Sequence, residues 1–406
     1  MAEIEIVSRI QKYLGIRTVY PNPNYIAAAD FIIGQALFIF LETQCIELVE
    51  GKPIVLLKWS GSDPSLPAIL LNSYFDLGPS EVDKWEHPPL GAVREKYDKI
   101  YARETQYIMS VGMQYLEAIR KLRSSGFEPL RSVYVTFVPG GFDGVAKLVE
   151  SQIFKNLNIA IVLKQGSPSP TKSYRVFNGE KIWWSLQIKA VGQSGRGAKL
   201  YDNSAMENLT KSIESIMRFR ASQFDLLKAG LKAEGHVISV NMVFLKAGTP
   251  THDHGFVMNL QPSEAVAGFD IRVPPTADLE ALERRLVEEW APASRNMSFK
   301  LWRTDQDLAG NQLVTVTNAS NPWLELLQNA VKQAGGMTSE PEIFPVSTDS
   351  QHFQKAGLPA IGFSPISNTP PLLHDYNEYL SQSEYLKGID MYVSILKAYT
   401  SYASPE

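Results

Sequence analysis

The chain has 406 residues and a formal charge of −4, with 39 Lys and Arg against 43 Asp and Glu, and 44% of its positions are hydrophobic. That length supports two or three domains with sizeable cores, and the composition excludes bulk disorder and fibrous repeats. Slight acidity without any Lys/Arg block argues against nucleic acid and anionic membranes as partners, and the lone Cys45 excludes an intrachain disulfide and every cysteine-rich zinc motif.

The N-terminus reads Met-Ala-Glu-Ile-Glu-Ile, acidic where a secretory signal is basic and then apolar. Cytoplasm is therefore the default location, with export by an unconventional route left open. An amphipathic segment spans residues 4–14. The longest apolar stretch, 31–41, is broken by Gly34 and Gln35 and falls short of the roughly 18 residues that cross a bilayer, so no membrane helix is expected. Apolar runs at 68–71, 133–138 and 159–163 alternate with amphipathic stretches such as 108–122, the pattern of an α/β layered domain. Asn178-Gly179 reads as a tight hairpin turn between two strand-like runs, and a domain boundary is placed near residue 182.

Beyond it, Trp184, Leu186 and Ile188 alternate with polar residues, as in a strand covered on one face. A helix over 206–217 follows, with Asp202, Asn203 and Ser204 available as N-caps. Strand-like runs at 237–245 and 266–273, an amphipathic segment 279–290 and a strand at 298–302 complete a β-α-β-β-α-β order, the ferredoxin-like arrangement. After residue 303 the α/β pattern resumes with a strand at 359–363 and a last helix, for which Ser381 and Glu384 form a capping-box pattern.

Seven segments in order carry a family resemblance: Leu70-Leu71-Asn72-Ser73 with Asp76 and Pro79, Tyr101-Ala102-Arg103 with Gln106, Thr136-Phe137-Val138-Pro139, Phe269-Asp270-Ile271-Arg272, Pro341-Glu342-Ile343, Ala360-Ile361-Gly362-Phe363-Ser364-Pro365, and Leu372-Leu373-His374-Asp375. Over nearly its whole length the chain resembles the zinc-dependent aminoacylases and their carboxypeptidase-like amidohydrolase relatives, most closely the aminoacylase-1 group. The resemblance implies an α/β, mixed-sheet zinc-peptidase-like domain, 1–182 and 303–406, interrupted by a smaller ferredoxin-like α+β lid/dimerisation domain, 183–302. It also implies a homodimer formed through that inserted domain, and two bridged zinc ions that activate a water for hydrolysis of N-acyl amino acids.

The matched positions depart from that chemistry. Tyr74 stands where the family has a metal-binding His, although Asp76 beside it is retained; Tyr107 replaces the bridging Asp; Gly141 and Phe142 replace the Glu-Glu pair of base and ligand; Lys164 replaces the next ligand Asp. Only His374 matches. Four of the five ligands and the base are thus absent, and a protonated Lys164 cannot coordinate a cation. The family's zinc is expected to be absent, with no other cofactor, and the aromatic residues are expected to fill the vacated space or line a ligand site. A buried Lys164 is expected to pair with Asp76.

In the inserted domain Arg196 stands at the position of the family's oxyanion-stabilising His, where it could donate a hydrogen bond but not cycle a proton. Asn259 and Arg272 match residues that hold the substrate carboxylate, and Thr348, Asp349 and Gly362 fall in retained segments beside the cleft. The expectation is a catalytically inactive aminoacylase-like protein that binds a small acidic or acylated amino acid, or a protein partner. The alternative is a working N-acyl-amino-acid amidohydrolase with altered metal ligands drawn from Asp76, Asp143, His374 and Asp375, although no three of these reproduce a known ligand spacing. His252-Asp253-His254 reads as an exposed hairpin loop.

Overall fold

The computed structural model describes residues 2–76, 78, 81–95, 98–140, 142–304, 313–318 and 321–403, the side chains of Ala2, Phe142 and Asp143 excepted. The chain divides into two compact units, the first of Met1–Gly179, Val314–Glu342 and Thr348–Glu406, the second of Glu180–Leu313 and Ile343–Ser347. The sequence places these divisions at 182 and 303; the chain parts at 179 and 313 instead. Residues 343–347 also return to the second unit, where Lys181 N donates to Phe344 O (3.0 Å), a long-range pairing that no local pattern announces.

Among the described residues, one sheet has the spatial order Glu42–Val49, Lys52–Trp59, Val133–Val138, Ala68–Tyr74, Ile159–Lys164, Ala360–Phe363, Val176–Glu180, Glu342–Phe344. The sheet is mixed: Ala68–Tyr74 runs parallel to both Val133–Val138 and Ile159–Lys164, and Ala360–Phe363 parallel to Ile159–Lys164, while Lys52–Trp59 is antiparallel to its neighbours. Parallel strands covered on both faces are written as unbroken apolar runs, and Ala68–Tyr74 is buried at every position. Helices Ala2–Leu14, Tyr25–Phe38, Ile108–Ser124, Pro322–Gln333 and Gln382–Ser401 supply the cover, closing a core that includes Ile10, Leu57, Leu71, Leu116, Phe137, Leu163 and Tyr392.

Two local readings change. Asn178-Gly179 lies inside the strand Val176–Glu180 rather than in a hairpin, because the chain returning after residue 313 pairs there: Thr315 N donates to Asn178 O (2.6 Å) and Gly179 bridges to Val314. Ser381 does cap the last helix, its Oγ accepting from Glu384 N at 3.3 Å, but the Glu384 carboxylate turns to Ser367, accepting from its N (3.0 Å) and Oγ (2.7 Å).

In the second unit the four strands Ile182–Val191, Ser239–Ala247, Glu264–Val273 and Met297–Arg303 pair antiparallel in the order second, third, first, fourth, the ferredoxin-like topology. Helix Ala205–Lys228 starts at Ser204, whose Oγ accepts from Glu207 N (3.2 Å), and runs eleven residues past the predicted end at 217 because Phe219 continues the apolar face against Trp290, ring centroids 5.5 Å apart. The 279–290 segment is α-helical to Arg285 and then widens into a π turn, Leu286–Trp290. Among the described residues no helix is long and apolar enough to cross a membrane.

Candidate functional site

Parallel strands deliver their side chains to one edge of a sheet, and the positions singled out in the sequence sit at three such ends. Ala68–Tyr74 ends in Tyr74 and leads to Asp76, Ile159–Lys164 ends in Lys164, and Ala360–Phe363 carries Gly362. Asn72, Lys164 and Gly362 lie in register across these three strands. A Cβ on Gly362 would stand 3.4 Å from Lys164 Cε and 3.2 Å from Phe177 Cβ, so the missing side chain leaves room for the lysine stem.

Lys164 is 3% exposed and donates from Nζ to Thr348 Oγ1 at 2.7 Å. Thr348 Oγ1 also meets Ser350 Oγ at 3.2 Å and accepts from Ser350 N at 3.2 Å. Asp349 is buried at the start of the helix Ser350–Lys355, where its carbonyl accepts from His352 N (3.0 Å). Asp76, the expected partner of Lys164, has other company. Its carboxylate accepts from the Tyr25 hydroxyl and the Gly140 N–H, and the charges acting on it are Lys52, attractive, and Glu104, repulsive. Burial dominates these and pushes the Asp76 carboxyl up to about 6. The approach of Gly140 depends on its lacking a side chain, since a Cβ there would lie 1.6 Å from Asp76 Oδ2. Asp76, Tyr25 and Lys52 border a cavity of about 890 Å³.

Tyr74 and Tyr107 are both buried, the first packed in a cluster with Leu70, Val138 and Val145. Tyr107 precedes the helix Ile108–Ser124, and its N–H donates to Glu104 O (3.4 Å). Gly141 lies outside the described residues, as do the side chains of Phe142 and Asp143.

The loop before Tyr107 is built around a buried carboxylate. Glu378 accepts from Glu104 N (3.0 Å), Gln106 N (2.7 Å) and Thr105 Oγ1 (3.4 Å). Burial and then the charge of Glu104 hold the Glu378 carboxyl above the ordinary carboxylate value, while the two backbone N–H groups pull the other way. Gln106 ties the same loop to the last segment, donating to Tyr379 O (2.8 Å) and accepting from Leu372 N (2.8 Å). That tie brings His374 to the loop: its Nε2 stands 3.2 Å from Oε1 of the buried Glu104, which Arg103 Nε approaches to 3.9 Å. Glu104 holds this position with φ +62, a left-handed conformation that costs a non-glycine residue about 1 kcal/mol.

Three candidates belong to the second unit. Arg196 lies opposite Leu260 in a short antiparallel pairing, Gly197 N donates to Asn259 O (2.8 Å), and Arg196 and Asn259 are both exposed. Arg272 already has a carboxylate: Nε and Nη2 donate to Asp270 at 2.7 and 2.8 Å, and the guanidinium lies 5.0 Å from the Trp183 ring centre. Lys181 is buried nearby, its ammonium pushed down to about 8 by burial, with Arg272 adding to that and Glu234 opposing it. The 250–256 segment is a hairpin, Pro250 bridging to Phe256, with His252 and His254 exposed at its tip.

Sequence reasoning missed Tyr25, Lys52, Glu104 and Lys181. Tyr25 and Lys52 reach Asp76 from distant parts of the chain and carry no local signal; Glu104 stood in plain view between Arg103 and Gln106. Among the described residues no three His, Cys, Asp or Glu side chains come together to hold a metal ion. A bridged zinc pair needs convergent carboxylates and imidazoles, and a buried lysine with two buried tyrosines does not fit it.

Comparison with known proteins bears on this site. The model of the peptidase family M20/M25/M40 matches residues 70–398. The chain is 38% identical to aminoacylase-1 of Mus musculus over 401 residues, covering 97% of this chain and 95% of that one. It is 37% identical to aminoacylase-1 of Dictyostelium discoideum over 404 residues, 97% of each chain. The fold is similar to that of the M20 family metallo-carboxypeptidase Sso-CP2 from Sulfolobus solfataricus, with a TM-score of 0.74, 16% identity and coverage of 98% and 100% of the two chains.

Proposed function

Because the chain belongs to the peptidase family M20/M25/M40, we propose that it is an aminoacylase-like protein whose cleft binds a small acidic or N-acylated amino acid, or a protein partner, without hydrolysing an amide. The observation that carries this reading is Lys164, buried at a strand end where the aminoacylases it resembles place a metal ligand and hydrogen-bonded to Thr348. An ammonium there repels a dication and offers no lone pair while protonated. Tyr74 and Tyr107 fill volume at two further ligand positions.

Within the second unit, the groups suited to meet a carboxylate are the exposed donors of Arg196 and Asn259, and Arg272 where a carboxylate displaces Asp270. We further propose a cytoplasmic homodimer formed through the second unit. Its edge strand Ser239–Ala247 presents exposed Met242, Val243, Phe244 and Leu245, an apolar edge of the kind that association covers.

A second reading is a working N-acyl-amino-acid amidohydrolase with altered ligands. It is favoured by near-full-length identity of 35–38% to proteins named aminoacylase-1, and by the pairing of His374 with Glu104. Elemental analysis of the purified protein together with an N-acetyl-methionine hydrolysis assay separates the two. No bound zinc and no released methionine is the expected result; stoichiometric zinc with turnover overturns the first reading in favour of the second. Thermal-shift measurements across N-acyl amino acids then test binding, since a ligand that binds only the folded chain raises its stability, and a flat response leaves the protein-partner form.

A further inference from the structure

The first unit holds a second cavity, of about 750 Å³, that shares no lining residue with the cleft around Asp76. Its size is within the range of small-molecule sites. Three lysines line it, Lys172, Lys332 and Lys387, with no Asp, Glu or His in the lining. Lys387 pairs with Glu384 at 3.4 Å, and that carboxylate is already shared with Ser367 N and Oγ. Among the described residues Lys172 and Lys332 have no ion pair.

Lys332 and Lys387 each have a local reason for their charge, a helix end and Glu384 one turn back, and Lys172 has none. Lys332 lies in the last turn of the helix Pro322–Gln333, where a cation complements the helix dipole. Lys387 is in the second turn of Gln382–Ser401, away from the carbonyl end, and Lys172 is on a loop. Like charges around one cavity repel, and an anion among them turns that repulsion into attraction.

The rest of the lining has two characters. Tyr174 and Met391 are buried at its floor, and Met337 is exposed at its edge. Gly336 packs against that floor so tightly that a Cβ would lie 2.7 Å from the Tyr174 ring and 2.9 Å from Met391 Cε. Polar groups that could donate come from Gln328, Asn329 and Thr338.

We propose that this cavity is a binding site for a small soluble organic anion, with a phosphate or carboxylate head among Lys172, Lys332 and Lys387 and an apolar body against Tyr174, Met337 and Met391. The site is independent of the cleft, and the proposal holds whether or not the cleft hydrolyses anything.

Isothermal titration of the full chain with octyl phosphate, inorganic phosphate and octanol tests it. Octyl phosphate is expected to bind more tightly than either fragment alone, and to lose about tenfold in affinity between low and high salt. The double variant Lys172→Glu with Lys332→Glu, at two exposed positions, is expected to weaken it by at least about tenfold while an unchanged melting temperature confirms folding. Octyl phosphate binding equally to the variant, or not binding the native chain at millimolar concentration, overturns the proposal. So does cosedimentation with phosphatidic-acid vesicles in the absence of octyl phosphate binding, since that would make the lysines a membrane contact.

Discussion

The strands of the large sheet and the residues at their ends follow different rules. Leu70, Leu71, Val162, Leu163 and Ile361 form an apolar interior that is essentially without solvent contact. From one to five residues further on stand Lys164, hydrogen-bonded to Thr348, Tyr74, packed with Leu70 and Val138, and Asp76, which accepts from Tyr25 and Gly140. The fold therefore draws its apolar burial from the sheet and its helices, and its buried polar groups gather at the strand ends. This is how a chain with the family's architecture can carry a buried lysine and two buried tyrosines beside those ends.

The comparison breaks most readily in the sheet. Leu71→Ala removes a fully buried side chain and is expected to cost about 2 to 5 kcal/mol in chemical denaturation; a loss below about 1 kcal/mol would mean the interior is not what holds the fold.

A smaller effect is expected at Asp76. Its carboxyl sits near 6 in the fold against 3.8 in the open chain, so the folded state binds the proton more tightly. Stability from this group is present at low pH, falls as pH rises from about 4 to 6, and is gone above that, a change of at most about 3 kcal/mol. Unfolding free energies across that window should fall in the native chain relative to Asp76→Asn, which lacks the titration. Parallel curves for the two proteins would show that burial does not govern Asp76.

Thr348→Val takes an acceptor from the buried Lys164 ammonium and is expected to cost about 2 kcal/mol in the same assay. The smallest effect expected is from a chelator. If the proposed reading holds, EDTA leaves the melting temperature unchanged, whereas a drop of several degrees would restore the metalloenzyme reading.

Much of this was legible in the sequence, for identifiable reasons. The parallel strands announce themselves because both faces are covered and their central residues, such as Ile69 to Leu71 and Ile161 to Leu163, are apolar. The second unit was readable from its alternation, and Ser204, one of three residues available as helix cap, is the one that caps. Asp270 and Arg272 stand two apart on a strand and hence on one face, so their ion pair was available to spacing alone. Asn178-Gly179 misled because its partners, Val314 and Thr315, arrive from the far side of an inserted unit. Asp76 was paired with Lys164 on expectation, whereas Tyr25, Lys52 and Gly140 reach it through folds in the chain that no local pattern encodes.

Glu378 gives the loop at 104–106 its shape with three donors drawn from the polypeptide itself. The turn is thus moulded by an internal template rather than by whatever ion a cleft contains. A designer wishing to place an aspartate at position 107 would inherit a ready-made bend, and could add a carboxylate there on a frame that already stands.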